Sequence, residues 1–219
     1  MKAVSPYSIL DAANNLQRLD RDYCACLTAR GAEGVDVIRA PGPAGMENAQ
    51  NVARIRHVFR ILRRSYRWIV IDLARLSLPA LDLVKDLNQI LLITTSEVQS
   101  LFGAKQVLDR LAAIDTGKER RRLVLNRAGN HAVLSKAEIE RIVGEPFSAA
   151  LPNNYAVLSR AYGEGKLLPA TANLRQQIGN LAAKIAGMEQ VQKKKSRFAM
   201  LNFLNSGIAA GTPEAPSEA

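Results

Sequence analysis

Hydrophobic and polar positions change period along the chain. From Tyr7 to about Ala29, Ile9, Leu10, Ala13, Leu16 and Leu19 recur at helical spacing and predict one or two short helices. VDVI, Val35–Ile38, reads as a short strand closed by the turn-rich APGPAG. Met46 to Ser65 predicts a helix with Val52, Ile55, Phe59 and Leu62 on one face and Arg54, Arg56, Arg60, Arg63 and Arg64 on the other. The stretch RWIVIDLARLSLPALD, Arg67–Asp82, is a run of β-formers ending in one aspartate, then a turn and a Pro-led helix. WIVIDL barely alternates, and neither does ILLITT, Ile90–Thr95. Such runs predict strands buried on both faces of a parallel sheet.

Val98 to Ile114 follows as a helix that Thr94 or Ser96 can cap, and RRLVLNR as a further buried strand. SKAE, Ser135–Glu138, fits a capping box opening a helix to Val143. PFSAALP is a shorter strand, and Asn153–Tyr162 and Thr171–Ala186 are helices. Strands alternating with helices predict an α/β fold, a doubly wound and mainly parallel sheet flanked by helices. One domain is expected over residues 1–188. Past Met188 the periodicity fails, and 189–219 reads as a basic-apolar, flexible tail ending in TPEAPSEA.

Composition adds a charge signal. The 219 residues carry a formal net charge of +10 and a pI near 9.9, which favours acidic partners: nucleic acid, an anionic membrane face or an acidic protein. Cys24 and Cys26 are too close to staple distant elements and complete no zinc set, so two reduced thiols are expected. The N-terminus has no signal-peptide core, and no apolar run approaches the ~20 residues of a bilayer span, so a soluble, cytoplasmic chain is expected. His57 and His131 stand apart from any catalytic constellation.

Five segments, taken in order from about Ser5 to Gly187, carry a family resemblance: YSILDAANNLQRLD, YRWIVIDLAR, ILLITTSEVQSL, RRLVLNRAG and LPNNYAVLSRAYGEGKLL. Together they resemble the MinD/ParA group of nucleotide-dependent switches, and within it the CpaE/TadZ branch associated with assembly of Flp-type (tight-adherence) pili. The resemblance implies ATP and Mg²⁺ as cofactors, ATP hydrolysis as the family activity, and a ligand at the carboxyl ends of parallel strands. It assigns Asp72 to the metal, orienting a Mg²⁺-bound water beside the phosphates. Asn126 would present its carboxamide to the adenine edge, with Arg127 beside it, while Pro152 and Asn153 flank the base. Each also has a structural alternative: Asp72 as a strand-end cap, Asn126 as a turn former.

A phosphate loop needs G-x-x-x-x-G-K-[ST] or a GK-rich variant, because backbone N–H groups must approach the phosphates. TGKER, Thr116–Arg120, and GEGKLL, Gly163–Leu168, are the GK candidates, and neither qualifies. In relatives the P-loop strand lies between those matching WIVIDL and ILLITT. Without it, those two strands are expected either to pair directly or to leave a gap that another segment fills. Ala74 also stands where relatives commonly have Pro. A translation start inside a longer gene and a degenerate member of the group both remain open.

The expected function is a CpaE/TadZ-like factor, cytoplasmic and at the inner membrane face or cell pole, that helps site or assemble a pilus secretion machine. It would work through protein contacts, a homodimer among them, with nucleotide binding impaired. The alternative is a ParA-like ATPase relative binding DNA non-specifically in chromosome or plasmid partitioning. Its footprint would be the arginine face of 46–65, Arg120–Arg122 and Lys193–Arg197. The cations preceding Phe198, Met200, Leu201, Phe203 and Leu204 suggest a weak contact with anionic membrane through 193–204.

Overall fold

Ser8 opens the first helix with a reciprocal cap. In the computed structural model, which describes residues 5–40, 49–74, 78–114, 116–129 and 134–188, its N–H and hydroxyl donate to Asp11 Oδ2 at 2.7 and 2.8 Å. These bonds, the backbone one first, hold the Asp11 carboxyl below its usual range and start α1 (Ile9–Asn14). Asp20 caps α2 (Arg21–Leu27) by accepting the Tyr23 N–H at 2.7 Å. A two-residue antiparallel pair follows, β1 (Ala29–Arg30) with β2 (Asp36–Val37). Then come α3 (Ala49–Leu62) and α4 (Leu78–Val84). These helices close one apolar core around Ala12, Leu27, Val52, Ile55, Val58 and Leu83.

The second half is β3 (Ile90–Thr94), α5 (Val98–Ala113), β4 (Arg121–Ala128), α6 (Lys136–Val143), β5 (Phe147–Pro152), α7 (Tyr155–Gly163) and α8 (Asn173–Ile185). The three strands form one parallel sheet in the order β3-β4-β5, with Leu92 beside Leu123 and Leu125 beside Ala150. Helices flank it, and a second core gathers Leu101, Leu108, Leu123, Leu125, Ile139 and Phe147. The capping box at α6 is present: Ser135 N–H donates to Glu138 Oε2 at 2.7 Å, and Glu138 N–H to Ser135 Oγ at 3.3 Å. Gly144 ends that helix at φ 86, a left-handed position where glycine escapes the Cβ clash. The α/β class and the parallel sheet match the expectation.

Three expectations need correction. WIVIDL joins no ladder among the described residues, and Trp68 and Val70 lie exposed. β3 alternates rather than being buried on both faces, because Leu91 and Ile93 face outward. A run without polar residues shows that a strand can be buried, while burial itself needs neighbours on both sides. The cap of α5 falls on Glu97 without a side-chain bond, not on Thr94 or Ser96.

The chain divides into two compact units, Met1–Gln177 and Ile178–Ala219. Of the second, 178–188 is described: the last turns of α8, closed by Met188 N–H on Ala183 O at 2.9 Å. The proposed tail, 189–219, lies outside the described residues. Among the described residues no helix is long and apolar enough to cross a membrane.

Candidate nucleotide site

The tips of β4 and β5 meet through an irregularity. The register shifts between Leu125 and Ala128, so Asn126 and Arg127 bulge out before Ala128 pairs with Pro152. A bulge adds residues to one strand and re-aims their side chains. Arg127 accommodates it at φ 54, a left-handed conformation uncommon outside glycine. Its N–H donates to Asn126 Oδ1 at 3.0 Å, and the Asn153 N–H donates to Ala128 O at 3.0 Å. Four of the five sequence-assigned residues, Asn126, Arg127, Pro152 and Asn153, are thereby brought together at adjacent carboxyl ends of parallel strands. The Asn126 oxygen is engaged locally, while its NH₂ makes no hydrogen bond among the described residues. A donor fixed in this way can read a base edge.

Asp72 is not part of that group of contacts. It lies exposed at the end of the unladdered segment, and its Oδ1 accepts the Ala74 N–H at 2.8 Å. Ala74 adopts φ 50 to make the turn. This is an Asx turn, in which the carboxylate organises its own backbone.

Neither GK segment forms a phosphate cradle. Thr116 Oγ donates to Leu111 O at 2.6 Å, and the Lys118–Arg120 turn leads into the amino end of β4, the wrong end of the sheet. Gly165, at φ 64, caps the end of α7 with its N–H on Tyr162 O at 3.0 Å; Lys166 N–H follows on Ala161 O at 2.9 Å. Anion sites use helix starts, where N–H groups are unpaired, and these are a strand start and a helix end. The β4 and β5 tips offer a carboxamide donor, the kind of group that a base edge accepts. Neither GK segment offers a triphosphate and its Mg²⁺ a cradle among the described residues.

Sequence reasoning missed Thr95, just past the tip of β3. Its hydroxyl is buried without a hydrogen-bond partner among the described residues, while Thr94 Oγ donates to Thr95 O at 3.3 Å. The signal was the paired threonines closing an otherwise apolar run.

The arginine patches behave differently from the expectation of a free basic surface. Arg56 pairs with Asp86 at 2.5 Å, Arg63 donates to Asp86 O, and Arg54 donates to Asn14 at 3.0 Å. Arg120 caps α4 through the carbonyls of Val84, Lys85 and Leu87. Arg121 pairs with Glu145 at 3.2 Å, and Arg122 donates to Gln89 at 2.9 Å. Of the α3 face, Arg60 and Arg64 remain exposed and unpaired among the described residues. Lys193–Arg197 falls outside them.

No protein-family model and no curated protein sequence matches the chain. Solved structures do. A ParA family ATPase from Chlorobium tepidum TLS superposes with a TM-score of 0.72 at 22% identity, over 82% of this chain and 76% of that one. The MinC:MinD cell division protein complex of Aquifex aeolicus gives 0.66 at 18%, over 85% and 75%. The cell division ATPase MinD of Pyrococcus furiosus gives 0.62 at 18%, over 84% and 77%. At such identities these matches establish the fold: the chain has the α/β architecture of the ParA and MinD ATPases.

Proposed function

We propose that this chain is a MinD/ParA relative that works through protein contacts, in siting or assembling an Flp-type pilus machine as CpaE/TadZ proteins do. One observation carries the first half. Within a ParA/MinD-type fold, a register shift gathers Asn126, Arg127, Pro152 and Asn153 at adjacent carboxyl ends of parallel strands, where such sheets bind ligands. Support for the pilus assignment comes from the ordered resemblance of five segments between Ser5 and Gly187. The solved MinC:MinD complex is a protein–protein assembly on this same fold.

Deletion of the coding sequence, followed by complementation in trans, tests the assignment. Surface Flp pili should be lost or misplaced and then restored by the full chain. The chain should also co-purify with components of the pilus secretion machine. Unchanged pilus number and placement in the deletion strain would reject it.

A further inference from the structure

A cavity of about 370 Å³ beside α7 is walled by one stretch of chain, residues 157–172. Val157, Arg160, Ala161 and Glu164 recur at i, i+3, i+4 and i+7 and so share one side of α7. The turn running on to α8 supplies Lys166, Leu167 and Pro169. Because the wall is local, its shape is set by this stretch and by the hydrogen bonds that hold it. Lys166 N–H donates to Ala161 O at 2.9 Å, Ala172 N–H to Pro169 O at 3.0 Å, and the Arg175 guanidinium to Leu168 O at 2.6 Å. A ligand entering such a preformed cavity is spared the cost of ordering a loop.

The chemistry of the wall selects its occupant. Val157, Ala161, Leu167 and Pro169 are apolar. Glu164 and Lys166 pair at 3.0 Å, so their charges cancel. Arg160 is the charge left over: its guanidinium has no hydrogen-bond or ion-pair partner among the described residues. Ligand sites are commonly apolar cavities with a few polar groups that fix orientation, and this volume lies at the small end of their range. A cation would be repelled by Arg160, and a multiply charged anion would meet the Glu164 carboxylate with one free cation to balance it. We infer that the cavity binds a small organic carboxylate, its apolar body against Val157, Leu167 and Pro169 and its carboxylate on the Arg160 guanidinium, whose planar fork matches that group. The inference goes beyond the proposed function and does not depend on it.

Titration of the isotope-labelled full chain with octanoate, octanol and octylamine at neutral pH, followed by amide NMR shifts, tests the inference. Octanoate should move the signals of 157–172, and octanol should bind at least about tenfold more weakly, having lost the charge-assisted bond. Octylamine should not bind. Arg160→Gln, at an exposed position, should leave the thermal midpoint unchanged and reduce octanoate affinity to that of octanol. Val157→Trp, which fills the cavity, should remove octanoate binding altogether. Signals of 157–172 that stay fixed up to millimolar octanoate would overturn the inference. So would octanol or octylamine binding as tightly as octanoate, or octanoate affinity indifferent to Arg160→Gln.

Discussion

The backbone N–H of Asn153 donates to the carbonyl of Ala128 at 3.0 Å, and this bond fastens the tip of β5 to β4 just past the point where β4 bulges. The bulge depends on Arg127 holding a left-handed backbone, with its N–H turned onto Asn126 Oδ1. The candidate base site is therefore built on a conformation its own residue type disfavours. Such outliers persist where surrounding structure over-determines them, and they concentrate at ligand sites.

Arg127→Gly should consequently stabilise the fold. Relief of the left-handed clash is worth about 1–2 kcal/mol, and the entropy of a flexible glycine takes back about 0.5–1 kcal/mol. The net gain of roughly 0.5–1 kcal/mol should appear as a higher urea midpoint at unchanged slope. Arg127→Val, β-branched, should move the midpoint the other way. A destabilised glycine variant would mean that the guanidinium contributes contacts outweighing the strain.

The Arg121–Glu145 pair should be the most sensitive electrostatic contact of the sheet. Its partners are only 5% and 16% exposed at 3.2 Å, and Arg121 also reaches Leu108 O at 3.4 Å, linking β4 to α5. Breaking a buried pair strands a desolvated charge, so Glu145→Ala should cost about 3 kcal/mol. Replacing both residues, Arg121→Met with Glu145→Leu, should recover most of that loss. Chemical denaturation of the two single variants and the double variant measures the coupling. Equal and additive losses would show that the pair is not coupled.

The cap of α6 sets an acid-side dependence. The Glu138 carboxyl is held below its usual range, first by the Ser135 hydroxyl and then by the Ser135 N–H. A carboxyl depressed in the folded state stabilises above its unfolded pKa, and that stabilisation is lost as pH falls through the folded value. Asp11, depressed by Ser8, acts in the same direction. Thermal midpoints should fall on acidification through the carboxylate range, and less steeply in Glu138→Gln than in the parent chain. Ser135→Ala should lower the neutral-pH midpoint by roughly 2–4 °C.

How far the sequence could be read depended on whether an element is specified locally. The Ser135–Glu138 box, the α5 periodicity and the β4 and β5 runs are written in neighbouring residues, and the structure places them where the sequence predicts. The segment 68–73 is equally apolar, but a strand requires a ladder partner from elsewhere, and composition cannot supply one. The arginines of α3 and of 120–122 look like one cationic surface in sequence. In space Arg56, Arg120 and Arg121 cap α4 or pair across the fold, because partners such as Asp86 and Glu145 are distant along the chain, while Arg60 and Arg64 stay exposed. The bulge that gathers Asn126 and Arg127 beside Pro152 and Asn153 was not legible, because a register shift is set by the neighbouring strand.

Nucleotide binding separates the two ends of that site. If the β4 and β5 tips serve the base while nothing among the described residues cradles phosphate, the triphosphate contributes little and adenosine should bind about as weakly as MgATP. Asn126→Ala should weaken both, since it removes the carboxamide donor and the acceptor that pins Arg127. Asp72→Asn keeps an oxygen for the Ala74 N–H and should change neither affinity nor stability. Isothermal calorimetry with adenosine and MgATP on the three proteins makes the comparison. MgATP binding a hundredfold tighter than adenosine, about 2.7 kcal/mol, and lost in Asp72→Asn would give the carboxylate its metal role and reverse the assignment.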